Sequence, residues 1–178
     1  LADVVSGLIR PDKGEVLVDG ENLYQFSETS WKEKLAYVSQ GSLLFNDSIK
    51  NNLLWGNEYS DEKEMIKAAR SFSTHKFVNK MPEKYDTKIG DVGSNLSGGE
   101  RQRLVLTRAM LRKPRILILD EATSELDSNT QSEIVSSLKT LKGKITLLII
   151  AHRLETINIA DKIYFIDSGN ISEILDPI

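Results

Sequence analysis

The 178-residue sequence contains no cysteine. Disulfides and thiolate metal sites are therefore excluded as sources of stability or chemistry, which fits a reducing compartment such as the cytosol. It also lacks any apolar run near the roughly 20 residues needed to cross a bilayer. The longest, Ile145 to Ala151 with one threonine inside, has the length of a buried strand. If a membrane is involved, another chain or segment spans it. The first ten residues show no basic flank leading into a long apolar segment, so no secretory signal is read there. Excess positive charge is missing as well: 23 Lys and Arg stand against 26 Asp and Glu, a net charge of −3. A general electrostatic grip on nucleic acid is not expected from that balance. Internal repeats and low-complexity linkers are absent too.

What is present has the composition of a globular protein, with 40% hydrophobic and 28% charged residues. Leu1, Val4, Val5, Leu8 and Ile9 fall at helical spacing and Pro11 stops the run, so the chain is expected to open inside a helix whose first turn is missing. Gly14 to Asp19 alternates like a strand turned by Gly20, and Leu35 to Ser39 is a second strand ending at Gln40. Residues 41–113 read mostly as helix. Met65, Ala68, Ala69 and Phe72 make one apolar stripe, opened by Asp61, Glu62 and Glu64. A further helix begins at Ser97, runs to about Arg112 and is closed by Pro114. Ile116–Leu119 and Ile145–Ile150 are continuous apolar runs, as parallel strands covered on both faces require. Between them Ser128–Leu141 is helical, and Lys162–Asp167 supplies another strand. Strand–helix–strand alternation at both ends predicts an α/β fold with a doubly wound, mostly parallel sheet. The core would comprise residues 1–40 and 114–178, with residues 41–113 as an inserted helical subdomain.

Four places carry chemistry. Ile116–Leu119 runs into Asp120 and Glu121, two carboxylates at the strand edge where α/β folds bind ligands; such a pair suits Mg²⁺ and polarisation of an attacking water, or merely marks a polar loop. Ser97 and Glu100 have the spacing of a capping box. That box leaves Gly98 and Gly99 unexplained, since glycine weakens a first helical turn; two residues without side chains at a helix N-terminus leave room for a phosphate. His152 follows one strand and Gln40 another, so both are placed to reach the same ligand, although either residue also suits a structural or solvent-exposed position.

Taken in order, these segments closely resemble the ATP-binding domain of ABC transporters across essentially the whole chain. Leu96-Ser97-Gly98-Gly99-Glu100 is similar to the family signature, usually LSGGQ, and is followed by Arg101-Gln102-Arg103 as in that family. Ile116–Asp120 resembles Walker B, Glu121 the catalytic base, Ser124-Glu125-Leu126-Asp127 the D-loop, His152 the switch histidine and Gln40 the Q-loop glutamine. The resemblance implies a P-loop NTPase-like fold in which two such domains sandwich two ATP molecules head to tail. Glu121 and His152 would be catalytic, and Gln40 and Asp120 would support Mg²⁺, partly through water. Ser97, Gly98, Gly99 and Glu100 would contact the partner's nucleotide, and Asp127 would link the two sites. Two more stretches, Gln40–Asn52 and Tyr85–Gly93, resemble exporter segments, the first of which lies against helices protruding from the membrane domain. This implies attachment, at the cytoplasmic face of the inner membrane, to a transmembrane domain outside this chain. A soluble ABC ATPase of DNA repair or translation, and a non-catalytic half-site of a heterodimer, are the alternative readings.

The departures are uneven. Glu100 replaces the usual glutamine, Val92 a basic residue and Glu125 an alanine, without removing a catalytic group. Family domains also continue past a point like Pro177. Most consequential, the family's P-loop, G-x-x-x-x-G-K-[ST], and its adenine-stacking aromatic residue are expected ahead of Leu1 and are not in this sequence. The 178 residues alone are therefore expected to bind ATP poorly and to hydrolyse little, while a longer parent hydrolyses it.

Overall fold

The computed structural model describes residues 1–123 and 126–174. In chain order the elements are α1 (Ala2–Val5), β1 (Leu17–Val18), β2 (Glu21–Asn22), α2 (Glu28–Lys34), β3 (Leu35–Ser39), α3 (Ile49–Leu54), α4 (Glu62–Ser71) and α5 (Thr74–Val78). They continue with α6 (Gly98–Leu111), β4 (Ile116–Asp120), α7 (Ser128–Lys139), β5 (Thr146–Ile150), α8 (Leu154–Ile157), β6 (Ile163–Asp167) and β7 (Asn170–Ile174).

β3, β4 and β5 form a parallel sheet in that order, with Ser39 level with Asp120 and Asp120 level with Ile150. Alternation along the strands divides the side chains between two faces. Ala36, Val38, Leu117 and Leu119 join one large core with residues of α3, α4, α6 and α7. Leu35 and Ile118 join a second, smaller one with Ala2, Leu23 and Trp31. Coverage on both faces explains why β4 is an unbroken apolar run: Leu117, Ile118 and Leu119 are all buried. The sheet is thus the doubly wound α/β arrangement its sequence implies. The large core also runs without a break into residues 44–111, so the helices there pack directly onto the sheet.

Local chemistry sets most helix starts. Ser27, Ser48, Asp61, Ser97 and Asp127 each accept a backbone N–H in the first turn of the helix they open. The opening helix is shorter than its apolar spacing predicts. Gly7 takes a left-handed φ of +79°, and the amides of Leu8 and Ile9 turn back to the Asp3 carbonyl at 2.9 and 3.1 Å. The strand read over residues 14–19 pairs only at Leu17–Val18, because Asp19 and Gly20 (φ 51° and 86°) fold it into a tight hairpin with β2. Likewise β6 leaves the parallel sheet and pairs antiparallel with β7 through Ser168 and Gly169. Among the described residues no helix is long and apolar enough to cross a membrane.

Candidate nucleotide site

The register of the sheet brings four chosen residues to one edge. Gln40 follows β3, and its amide donates to the Asp120 carbonyl at 2.8 Å. Asp120 ends β4, and the amide of Glu121 donates to the Ile150 carbonyl at 3.0 Å. His152 lies two residues beyond β5, with its Nε2 3.1 Å from Glu121 Oε1. The imidazole is largely exposed, with 79% side-chain accessibility against 33% for Glu121. Glu121 has φ +51°, a left-handed conformation that costs a non-glycine residue on the order of 1–3 kcal/mol.

Asp120 has a partner that sequence reasoning did not single out. Tyr37 donates its hydroxyl to Asp120 Oδ2 at 2.7 Å. Parity was the available signal: Tyr37 and Asp120 occupy the same face of adjacent parallel strands, two residues apart in register. Burial, and after it the hydrogen bond to Asp120, pushes the Tyr37 hydroxyl up to about 12 from an ordinary 10.0. The fold holds the neutral phenol. The associated stability is therefore complete below pH 10.0, the unfolded value, and lost as pH rises through about 12. In a phenolate absorbance titration Tyr37→Phe should remove a step near pH 12. A wild-type titration complete by pH 11 would contradict the part-buried contact (a pH about midway between the two values, by linkage).

The signature segment sits at the N-terminus of α6. Ser97 is the N-cap, accepting the Glu100 amide at 3.3 Å, while Glu100 Oε2 accepts from the Ser97 amide at 2.9 Å. The capping box forms as its spacing predicts. The Ser97 hydroxyl also donates to Glu100 Oε2 at 2.8 Å, and both Ser97 and Gly98 are exposed. A cleft of about 220 Å³ opens beside Ser97, bordered by α5, α6 and α7.

The two glycines separate. A Cβ on Gly99 would lie 2.6 Å from Thr130 Cγ2, so Gly99 has a packing reason to lack a side chain. A Cβ on Gly98 would meet nothing within 4 Å. Gly98→Ala is thus expected to raise stability by about 0.5–1 kcal/mol through helix propensity. Gly99→Ala should lower it by about 1–3 kcal/mol through overpacking. Thr130→Ser, which removes the obstructing methyl, should recover most of that loss in thermal or urea unfolding. Equal losses for the two alanines would refute this division.

Asp127 caps α7, accepting the Thr130 amide at 3.0 Å, and that bond foremost holds its carboxyl below the ordinary range. Ser124 and Glu125, the first half of the D-loop assignment, lie outside the described residues. The two exporter-like stretches are neighbours. Ile49 N–H donates to the Thr87 carbonyl, Ile89 N–H to the Asp47 carbonyl, and Asn46 Nδ2 to Asp91 Oδ1. Buried Asn52 shapes the first stretch by accepting the Phe45 amide at 2.8 Å and donating to the Phe45 and Ser48 carbonyls. Leu43, Phe45 and Val92 remain exposed there, and so does Trp55 just beyond the first stretch, its ring 4.6 Å from that of Phe45.

Residues 1–124 match the family model described as ABC transporter. The chain belongs to the ABC transporter family. An ATP-dependent lipid A-core flippase of Syntrophus aciditrophicus is 45% identical over 90% of this chain and 27% of its own length. The heterocyst differentiation ATP-binding protein HepA of Nostoc sp. is 44% identical over 97% of this chain and 28% of its own. A solved bacterial Atm1-family ABC exporter with ATP bound superposes with a TM-score of 0.87 at 36% identity, over 94% of this chain and 29% of that one. The ABC chain described here thus spans under a third of the length of these relatives. Its fold is that of an ABC ATPase domain.

Proposed function

We propose that this chain is most of the ATP-hydrolysing domain of an exporter-type ABC transporter, which drives transport by ATP-dependent pairing with a second such domain. The convergence of Gln40, Asp120, Glu121 and His152 on one edge of the parallel sheet carries this reading. Glu121 takes a proton from, or positions, the water that attacks the γ-phosphate. His152, movable because its ring is exposed, holds that phosphate and the water in line. Asp120 and Gln40 fit Mg²⁺: a carboxylate and an amide carbonyl on adjacent strand ends are hard oxygen donors. Among the described residues no three His, Asp or Glu side chains gather to hold a metal, so phosphate and water would complete the coordination. When bound, the ion neutralises charge on the phosphate oxygens. Ser97, Gly98, Gly99 and Glu100 face the nucleotide of the second domain, with α6 presenting its N-terminus to the phosphate. Asp127 links the two sites. The exposed Leu43, Phe45, Trp55 and Val92 surface receives the transmembrane domain, which places this domain at the cytoplasmic face of the inner membrane.

No G-x-x-x-x-G-K-[ST] occurs in the 178 residues. The chain alone therefore lacks a phosphate cradle. Its turnover should be near background, and fusing a P-loop strand and loop ahead of Leu1 should restore it. Glu121-dependent hydrolysis by the 178-residue chain itself would refute that part of the proposal.

A further inference from the structure

Four side chains that the proposed chemistry leaves unused form a polar chain between the segments carrying Glu121 and His152. Thr123, two residues after Glu121, shares a hydrogen bond with Thr156 of α8, their hydroxyls 3.1 Å apart. Gln131 of α7 donates its Nε2 to Thr156 Oγ1 at 3.4 Å. Its Oε1 accepts from Arg153 Nη1, which also donates to the Leu126 carbonyl at 2.9 Å. Thr123, Gln131 and Thr156 are 5%, 4% and 2% exposed. Buried polar groups persist where they satisfy one another, and such a network fixes one arrangement of the segments it joins.

The joined segments are the ones whose separation matters. Arg153 is the chain neighbour of His152, and Thr123 is anchored just past the strained Glu121 turn. His152 is too exposed for packing to place it, so its 3.1 Å approach to Glu121 depends on where the backbones on either side are pinned. Gln131 touches both anchors, Arg153 through its carbonyl and Thr156 through its amide.

We propose that Gln131 is a positioning residue for the reaction proposed above: through Arg153 and the Thr156–Thr123 pair it sets His152 against Glu121. The inference rests on that functional reading, but its test reads no ATP turnover, so failure here leaves the reading intact. The chain has two histidines. His75, bonded to Tyr85 and Asn79 in the helical lobe, serves as an internal control. Nitrogen-15 NMR of the imidazoles in the 178-residue chain, with Glu121→Ala as the contact-free reference, reports the state of His152. Gln131→Met should move the His152 ring signals at least halfway to the Glu121→Ala position and leave His75 unmoved. Gln131→Glu, which keeps the acceptor for Arg153 and can accept the Thr156 hydroxyl in place of donating to it, should keep the wild-type signals. His152 signals unmoved in Gln131→Met, whatever its melting temperature, would overturn the proposal. So would equal shifts in Gln131→Glu, or identical His152 signals in the wild type and Glu121→Ala. If Gln131→Met does not fold, Thr156→Val carries the same comparison with the same outcomes.

Discussion

Glu121→Gln, in this domain supplied with a P-loop, is expected to lower kcat for ATP hydrolysis by about 10²–10⁴-fold while leaving the KM for ATP nearly unchanged. The amide keeps the size of the carboxylate and can still meet His152. It cannot take a proton from water, and it removes the negative charge that draws the water into line. On the proposed assignment ATP affinity would reside in the phosphate cradle and the Asp120–Gln40 edge, which the substitution does not touch. The strained backbone at Glu121, with φ +51°, holds glutamine in the same place, so folding should be unaffected. A steady-state comparison of the two proteins checks this. A rise confined to KM would assign Glu121 to ground-state binding, and no fall in kcat at all would remove it from the chemistry.

The second large effect is on stability. Leu104 lies mid-way along α6, fully buried in the large core that runs from the helices into the sheet. Truncating it to alanine should cost about 2–5 kcal/mol, the transfer free energy of the lost methyl groups plus the cavity left behind. Against a total of about 5–15 kcal/mol for a domain of ordinary stability, that is a large share. The loss reaches function because α6 carries Ser97 at its cap and packs against α3, α4, α5, α7 and β3. Urea unfolding should show a lower midpoint at an unchanged slope. A shift below about 0.5 kcal/mol, the range of surface substitutions, would mean that α6 is not seated in the core.

Sequence made one part of this molecule plain. Ser97 and Glu100 announced a capped helix, and the apolar runs at residues 116–119 and 145–150 announced parallel strands, because caps and unbroken apolar runs are local signals; β4 is buried as expected, while β5, at the end of the sheet, is only partly covered. Their order and spacing then marked the four edge residues. Hidden features depended on partners distant in the chain. Tyr37 meets Asp120 across 83 positions, and Gln131 joins Arg153 and Thr156 across 22 and 25. None of these pairings has a short-range signature. Gly99 looked like Gly98 until Thr130 of α7 was placed beside it. The length of α1 was misread because apolar spacing outweighed a glycine whose left-handed turn ends the helix.

One measurement bears most directly on the claim that Ser97 and its glycines face a second domain across nucleotide. The P-loop-extended Glu121→Gln protein, mixed with ATP, should shift from monomer to dimer in sedimentation. Adding Gly98→Asp, at a position where the fold leaves open space, should abolish the dimer without lowering the melting temperature. ATP-dependent dimers formed equally well by the Gly98→Asp variant would contradict the arrangement.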